Sequence, residues 1–111
     1  MKAVFNGRVC KVAFSSYETN ANTAVLLLSE DEEDIIAIAT VNGNRSVPRH
    51  IVGIKDWSEN TGMVEALISS NVIQKQCVDS QKSGFVLIRY FELTKEAVAE
   101  LDRVEERNVL R

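Results

Sequence analysis

Thr23-Ala24-Val25-Leu26-Leu27-Leu28-Ser29, then Glu30-Asp31-Glu32-Glu33-Asp34, then Ile35-Ile36-Ala37-Ile38-Ala39-Thr40-Val41: the reading of this stretch decides the fold. Its first part is apolar without interruption from Ala24 to Leu28. A helix could use such a run, but its shortness and the turn-like residues around it favour a strand. An apolar run with no alternation suits a central strand covered on both faces. The part from Asp34 to Val41 is rich in β-branched residues, which pack well on a pleated surface, so a second strand follows. The acids Glu30–Glu33 then form an exposed hairpin loop between the two.

Upstream, Val4-Phe5-Asn6-Gly7-Arg8-Val9 reads as another hairpin, because Asn-Gly tolerates the positive φ angles of a primed turn. Val9, Lys11 and Ala13 alternate with Cys10, Val12 and Phe14 along its second strand, and Asn20-Ala21-Asn22 marks the next turn. Downstream, Asn42-Gly43-Asn44 is a turn. Pro48 makes the following stretch irregular, since proline cannot donate a ladder hydrogen bond. Ile51 to Ile54 reads as a short strand.

Asp56-Trp57-Ser58-Glu59 reads as a helix start, with Asp56 and Glu59 spaced as a capping box. Trp57, Val64, Leu67 and Ile68 give that helix an apolar stripe, and Asn71 is its left-handed stop. Val72-Ile73 begins an extended piece, Asp79 to Gly84 reads as a loop, and Phe85 to Phe91 as a strong strand. Thr94 opens the last helix, with Leu93 and Val98 spaced as a hydrophobic staple. Ala97, Val98, Leu101 and Val104 line its apolar face. The expectation is one α+β domain over residues 1–111. It has a mostly antiparallel sheet of about five strands, a short central helix and a longer C-terminal helix on one face.

The chain has 111 residues, is 45% apolar and carries a net charge of −3. That balance excludes a basic nucleic-acid binder of the usual kind, so direct nucleic-acid binding is not expected. The acidity is local: without the five acids Glu30, Asp31, Glu32, Glu33 and Asp34 the remainder would carry +2. Their structural reading is a solvated tip that keeps a sheet edge soluble. Their functional reading is an electrostatic contact for a basic partner. They lack the glycine and distal glutamate of a calcium loop, so no metal site is expected. A partial nucleic-acid mimic, with Glu96, Glu100 and Glu106 of the last helix beside this tip, would need both acidic elements on one side.

Cys10 and Cys77 sit among apolar neighbours and read as buried reduced thiols. With one histidine they cannot complete a zinc site. His50 has no nucleophile selected by spacing, and there is no nucleophile elbow or phosphate loop. The expectation is a protein that is not an enzyme and needs no cofactor. Asn42, Arg45, Arg49 and His50, with Trp57 and Asn60, form a polar segment that could bind an anion, a small ligand such as a nucleotide, or an acidic partner surface. Its structural reading is an ordinary connecting loop. The N-terminus reaches a turn too early for a secretory signal, and no run approaches a membrane span, so a soluble cytoplasmic protein without membrane contact is expected. Small size makes a homo-oligomer such as a homodimer plausible, with Val109-Leu110 as a docking tail.

Thr40-Val41-Asn42 ending a strand, Lys55-Asp56-Trp57-Ser58-Glu59-Asn60-Thr61-Gly62 opening a helix, and Ser83-Gly84-Phe85-Val86 starting a late strand together resemble a domain-of-unknown-function family. That family is small and is encoded on bacteriophages and other bacterial mobile elements. The resemblance covers about residues 5–93. It brings no settled activity. It implies a small accessory protein in a bacterial host cell, acting on a host defence protein or complex.

Overall fold

The computed structural model describes residues 1–109, with side chains through Glu105. The strands are β1 (Lys2–Phe5), β2 (Arg8–Ser16), β3 (Thr23–Leu28), β4 (Ile35–Ile38), β5 (Ile51–Ile54), β6 (Ile73–Ser83) and β7 (Val86–Leu93). The helices are α1 (Met63–Ser69) and α2 (Lys95–Val109). The fold is α+β and every strand pair is antiparallel. The strands divide into a four-stranded sheet, β1-β2-β3-β4, and a three-stranded sheet, β5-β7-β6.

Local chemistry sets the turns. Asn6 and Gly7 both take positive φ, the requirement of the primed turn between β1 and β2. Thr94 caps α2: its hydroxyl accepts the Ala97 N–H at 3.2 Å and donates to the Asn71 carbonyl at 2.8 Å. Leu93 is buried and Val98 packs against the core, as a staple requires. Asn71 has φ 60° and stops α1.

Residues 39–41 join the sheets. The Ala39 N–H donates to Val25 of β3 at 2.9 Å, while the Ala39 carbonyl accepts the Lys55 N–H at 2.9 Å. The Val41 N–H donates to Gly53 of β5 at 3.0 Å. One hydrophobic cluster is therefore shared: Phe14, Val25 and Leu27 from the first sheet, Val52, Ile54 and Phe91 from the second, Met63 and Leu67 from α1, Ala97 and Leu101 from α2. Among the described residues no helix is long and apolar enough to cross a membrane.

Five expectations need correction. The helix does not start at Asp56: Ser58–Asn60 forms a single 3-10 turn and α1 begins at Met63. Asp56 still caps it, but one turn later, accepting the Gly62 N–H at 2.8 Å, while Glu59 pairs with Lys55 and does not reach back. Residues 79–83 are not a loop but the end of the long strand β6, and Phe85 lies in the two-residue turn before β7. Cys77 is exposed, because β6 is the edge strand of its sheet and is open to solvent along most of its length; only Cys10 is buried, and burial pushes its thiol pKa up. Finally, β3 is central, but its outer face is covered only in part: Ala24 is buried there, while Leu26 and Leu28 are partly buried. The expected docking tail Val109-Leu110 and the side chain of Glu106 fall outside the described residues.

Candidate functional site

The acidic loop is tied to its own hairpin. The Asp31 carboxylate accepts the Ser29 hydroxyl and, at 3.1 Å, the Glu33 N–H. These bonds hold its pKa below the usual aspartate range, the Ser29 hydroxyl contributing most. Glu30 pairs with Lys2 at 3.3 Å and Glu32 with Lys11 at 3.6 Å. Glu33 and Asp34 are exposed and have no ion-pair partner among the described residues. The loop thus offers a partner two free carboxylates, fewer than its sequence suggests.

The polar segment is not one site. Asn42 accepts from the Asn22 amide at 3.1 Å and donates to the Thr19 hydroxyl at 3.1 Å. Arg45 bridges to Asp79 at 2.7 Å and lies over the Tyr90 ring, 4.8 Å from its centroid. Arg49 reaches across to α2, where it grips Asp102 and, at 2.8 Å, Glu105. Glu105 and Asp102 raise its pKa. Asn60 is buried and donates to the Ile38 carbonyl at 2.7 Å. His50 is exposed, and its carbonyl accepts the Leu93 N–H at 2.8 Å. Only Asn42, Trp57 and Asn60 meet, in an open groove of about 620 Å³ that Tyr17, Ile36 and Ile38 also line. Apart from the His50 ring and the Trp57 indole N–H, the polar side chains of this segment already serve the fold.

Two features were not foreseen. The first is the outer face of the four-stranded sheet. Strand alternation sends Phe14, Val25 and Leu27 inward, and Ala13, Leu26 and Ile38, which are register partners, outward. Leu28 and Ile35 pair on the same face, and Val4 and Val9 pair on the neighbouring hairpin. Ala24 is buried on this face and Leu26 and Leu28 are mostly buried, while Ile35 is 60% and Ile38 50% exposed. A sheet with one face on the core ordinarily alternates to polar residues on the other. Here the other face carries an aliphatic strip, Ala13, Leu26, Leu28, Ile35 and Ile38, bordered by Lys2 and Lys11 on the same face and by the free acids Glu33 and Asp34 that lead into Ile35.

The second is the β6–β7 arm. Beyond Ile73 nearly all of β6 is exposed. One side of the arm is held down: the Tyr90 hydroxyl donates to Gln81 at 2.8 Å, and Gln81 donates to Asn44. Lys82 and Leu87 are register partners on the opposite side, and Leu87 is 49% exposed. Phe85 at the tip is fully exposed. Gly84 takes φ +61° as the first of the two turn residues, where glycine adopts that angle without strain. The polar residues of β6 carry no alternating pattern, so the sequence offers no signal for an arm.

Among the described residues, no three His, Cys, Asp or Glu side chains converge as a metal ion would need. No protein-family model, no curated protein and no solved structure matches this chain.

Proposed function

We propose that this chain is a non-enzymatic binding protein that engages a protein partner through the aliphatic outer face of its four-stranded sheet and the acidic loop beside it. The observation that carries the reading is the partly open aliphatic strip around the exposed Ile35 and Ile38. Contiguous exposed apolar surface rimmed by polar residues marks interaction sites in folded proteins. The free carboxylates of Glu33 and Asp34 add a charge that a basic partner would meet. The alternative, a small ligand or nucleotide held by residues 42–60, is less well supported. Asn42, Arg45, Arg49 and Asn60 are committed to internal bonds.

The setting proposed is the bacterial cytoplasm, as an accessory factor of a phage or mobile element that inhibits a host defence protein or complex. It rests on the resemblance alone. In the fold, Thr40, Asp56 and Gly84 of those motifs have structural work.

The test compares tagged wild type with Ile35→Ser/Ile38→Ser and with Glu33→Lys/Asp34→Lys in pull-downs from bacterial cells. Both pairs are largely exposed, so each variant should stay folded, the isoleucine pair melting somewhat below wild type because part of each side chain is buried. The expected result is a protein captured in stoichiometric amount by wild type and by a control, Glu96→Lys, and lost by both face variants. Equal capture by all four would sink the reading. Thermal stabilisation by nucleotides that Trp57→Ala abolishes would support the small-ligand alternative.

A further inference from the structure

We propose that the β6–β7 arm of one copy docks on the aliphatic sheet face of the next, so that the chain associates head to tail with itself. This rests on the binding face argued above and names one partner for it.

Among the described residues nothing fully covers the strip around Ile35 and Ile38, which are 60% and 50% exposed. Val25 and Leu27 are fully buried on the inner side of β3, while on the other side Leu26 and Leu28 are only partly covered and their β4 partners Ile38 and Ile35 are exposed. The arm has the complementary need. Phe85 is fully exposed and Leu87 nearly half exposed, with no core beneath them. An aromatic anchor entering an aliphatic surface is the usual centre of an interface.

Charge follows the same complementarity. Lys82, the register partner of Leu87, has no ion-pair partner among the described residues. Glu33 and Asp34 lead into Ile35 at the edge of the face and are also free. A contact that buries Phe85 and Leu87 on the aliphatic surface could place the lysine against these carboxylates.

The arm cannot serve its own face without leaving its sheet. Its root is pinned by Tyr90, Gln81 and Asn44, and it belongs to β5-β7-β6, not to the sheet that bears the face. The two patches differ, so the contact is heterologous, and each bound copy still presents one free face and one free arm. The aliphatic strip, three strands wide and four residues long, spans roughly 200 Å². A standard interface needs about 800 Å² per partner, so the association is weak and concentration-dependent.

The experiment is sedimentation velocity on the purified full chain, from micromolar to millimolar concentration. The weight-average sedimentation coefficient of wild type should rise with concentration and fall with added salt. Phe85→Ser disables the arm and Ile35→Ser/Ile38→Ser disables the face. Each alone should weaken association about tenfold or more. Mixed in equal amounts, they should form a dimer that grows no further, the intact arm of one on the intact face of the other.

Three results would overturn the proposal: a wild-type monomer at millimolar concentration, association indifferent to both variants, or loss in each variant without rescue on mixing, which would mean a symmetric contact. A monomeric wild type whose partner capture still depends on Ile35 and Ile38 would remove this inference and leave the binding reading standing. Capture indifferent to the face would remove the binding reading.

Discussion

Asn22 shows how much one residue can carry in this fold. It is buried to 5% exposure, and its amide donates to Asn42 and, at 2.8 Å, to the Arg45 carbonyl, while its carbonyl oxygen accepts the Val47 N–H at 3.0 Å. The irregular segment before β5 hangs on these bonds. Asn22→Ala would leave buried groups unpaired and should cost about 1–3 kcal/mol in urea unfolding. A variant within experimental error of wild type would show that water replaces the amide. Asp31 is the second such residue, and here pH is the lever. Its carboxyl is held below the ordinary aspartate range by the Ser29 hydroxyl and the Glu33 N–H. Because the folded pKa is the lower one, its stabilising effect is present above the unfolded value, near 4, and is lost as pH falls through the folded value. Glu59, bonded by Lys55, and Asp79, bonded by the Ser80 N–H and Arg45, shift the same way. In an NMR titration the Asp31 carboxyl carbon should have a midpoint below that of an unstructured aspartate. Exchange of the Glu33 and Asp34 amides should quicken below that midpoint. An ordinary midpoint would mean that the loop is not organised around Asp31.

Among the elements, β5 and β7 leave no room for a side chain at Gly53, whose register partner is Tyr90. A Cβ there would lie 2.9 Å from the Ile88 side chain, 3.0 Å from the Tyr90 ring and 3.3 Å from the Val41 carbonyl. Gly53→Ala should therefore lose about 1–3 kcal/mol by overpacking. It should also speed amide exchange in β7 at the root of the arm; unchanged stability would show that Ile88 can move aside. The legibility of the elements follows the same local logic. Asn6-Gly7, the apolar run of β3, the β-branched run of β4 and the Thr94 cap each state their element in a few neighbouring residues, and each forms as read. The start of α1 does not, because the Asp56 carboxylate reaches past a 3-10 turn to the Gly62 N–H. Nor does the arm, because Gln, Lys and Ser on both faces of β6 look like a loop when no core selects one side. The acidic loop is legible as a hairpin tip, but its pairing with Lys2 and Lys11 comes from strand register. The aliphatic face was half legible: the run Ala24–Leu28 says that both faces of β3 are apolar, not that the described residues leave the outer one partly open at Ile35 and Ile38.

At the scale of the whole molecule, the two sheets have no strand pair in common beyond the bridge of Thr40 to Ile54, yet they share a core. Thr40 stands at that joint and is 3% exposed. Its hydroxyl oxygen accepts the Val25 N–H at 3.1 Å and shares a bond with the Tyr17 hydroxyl at 2.9 Å. If the shared core dominates, the sheets cannot unfold separately, because opening either one exposes the apolar side chains of the other. Trp57, the only tryptophan, lies in the groove beside β4 and reports on the joint, while far-UV circular dichroism reports on all strands. The two signals should trace one transition in urea, the sign of a two-state domain. Thr40→Val keeps the shape but leaves the Val25 N–H without its acceptor, at a cost of about 1–3 kcal/mol. It should move both midpoints together and leave the slope unchanged, since the surface exposed on unfolding is the same. Two separate transitions, with Trp57 leading, would mean that residues 39–41 are a hinge between independently stable sheets and not a seam through one core.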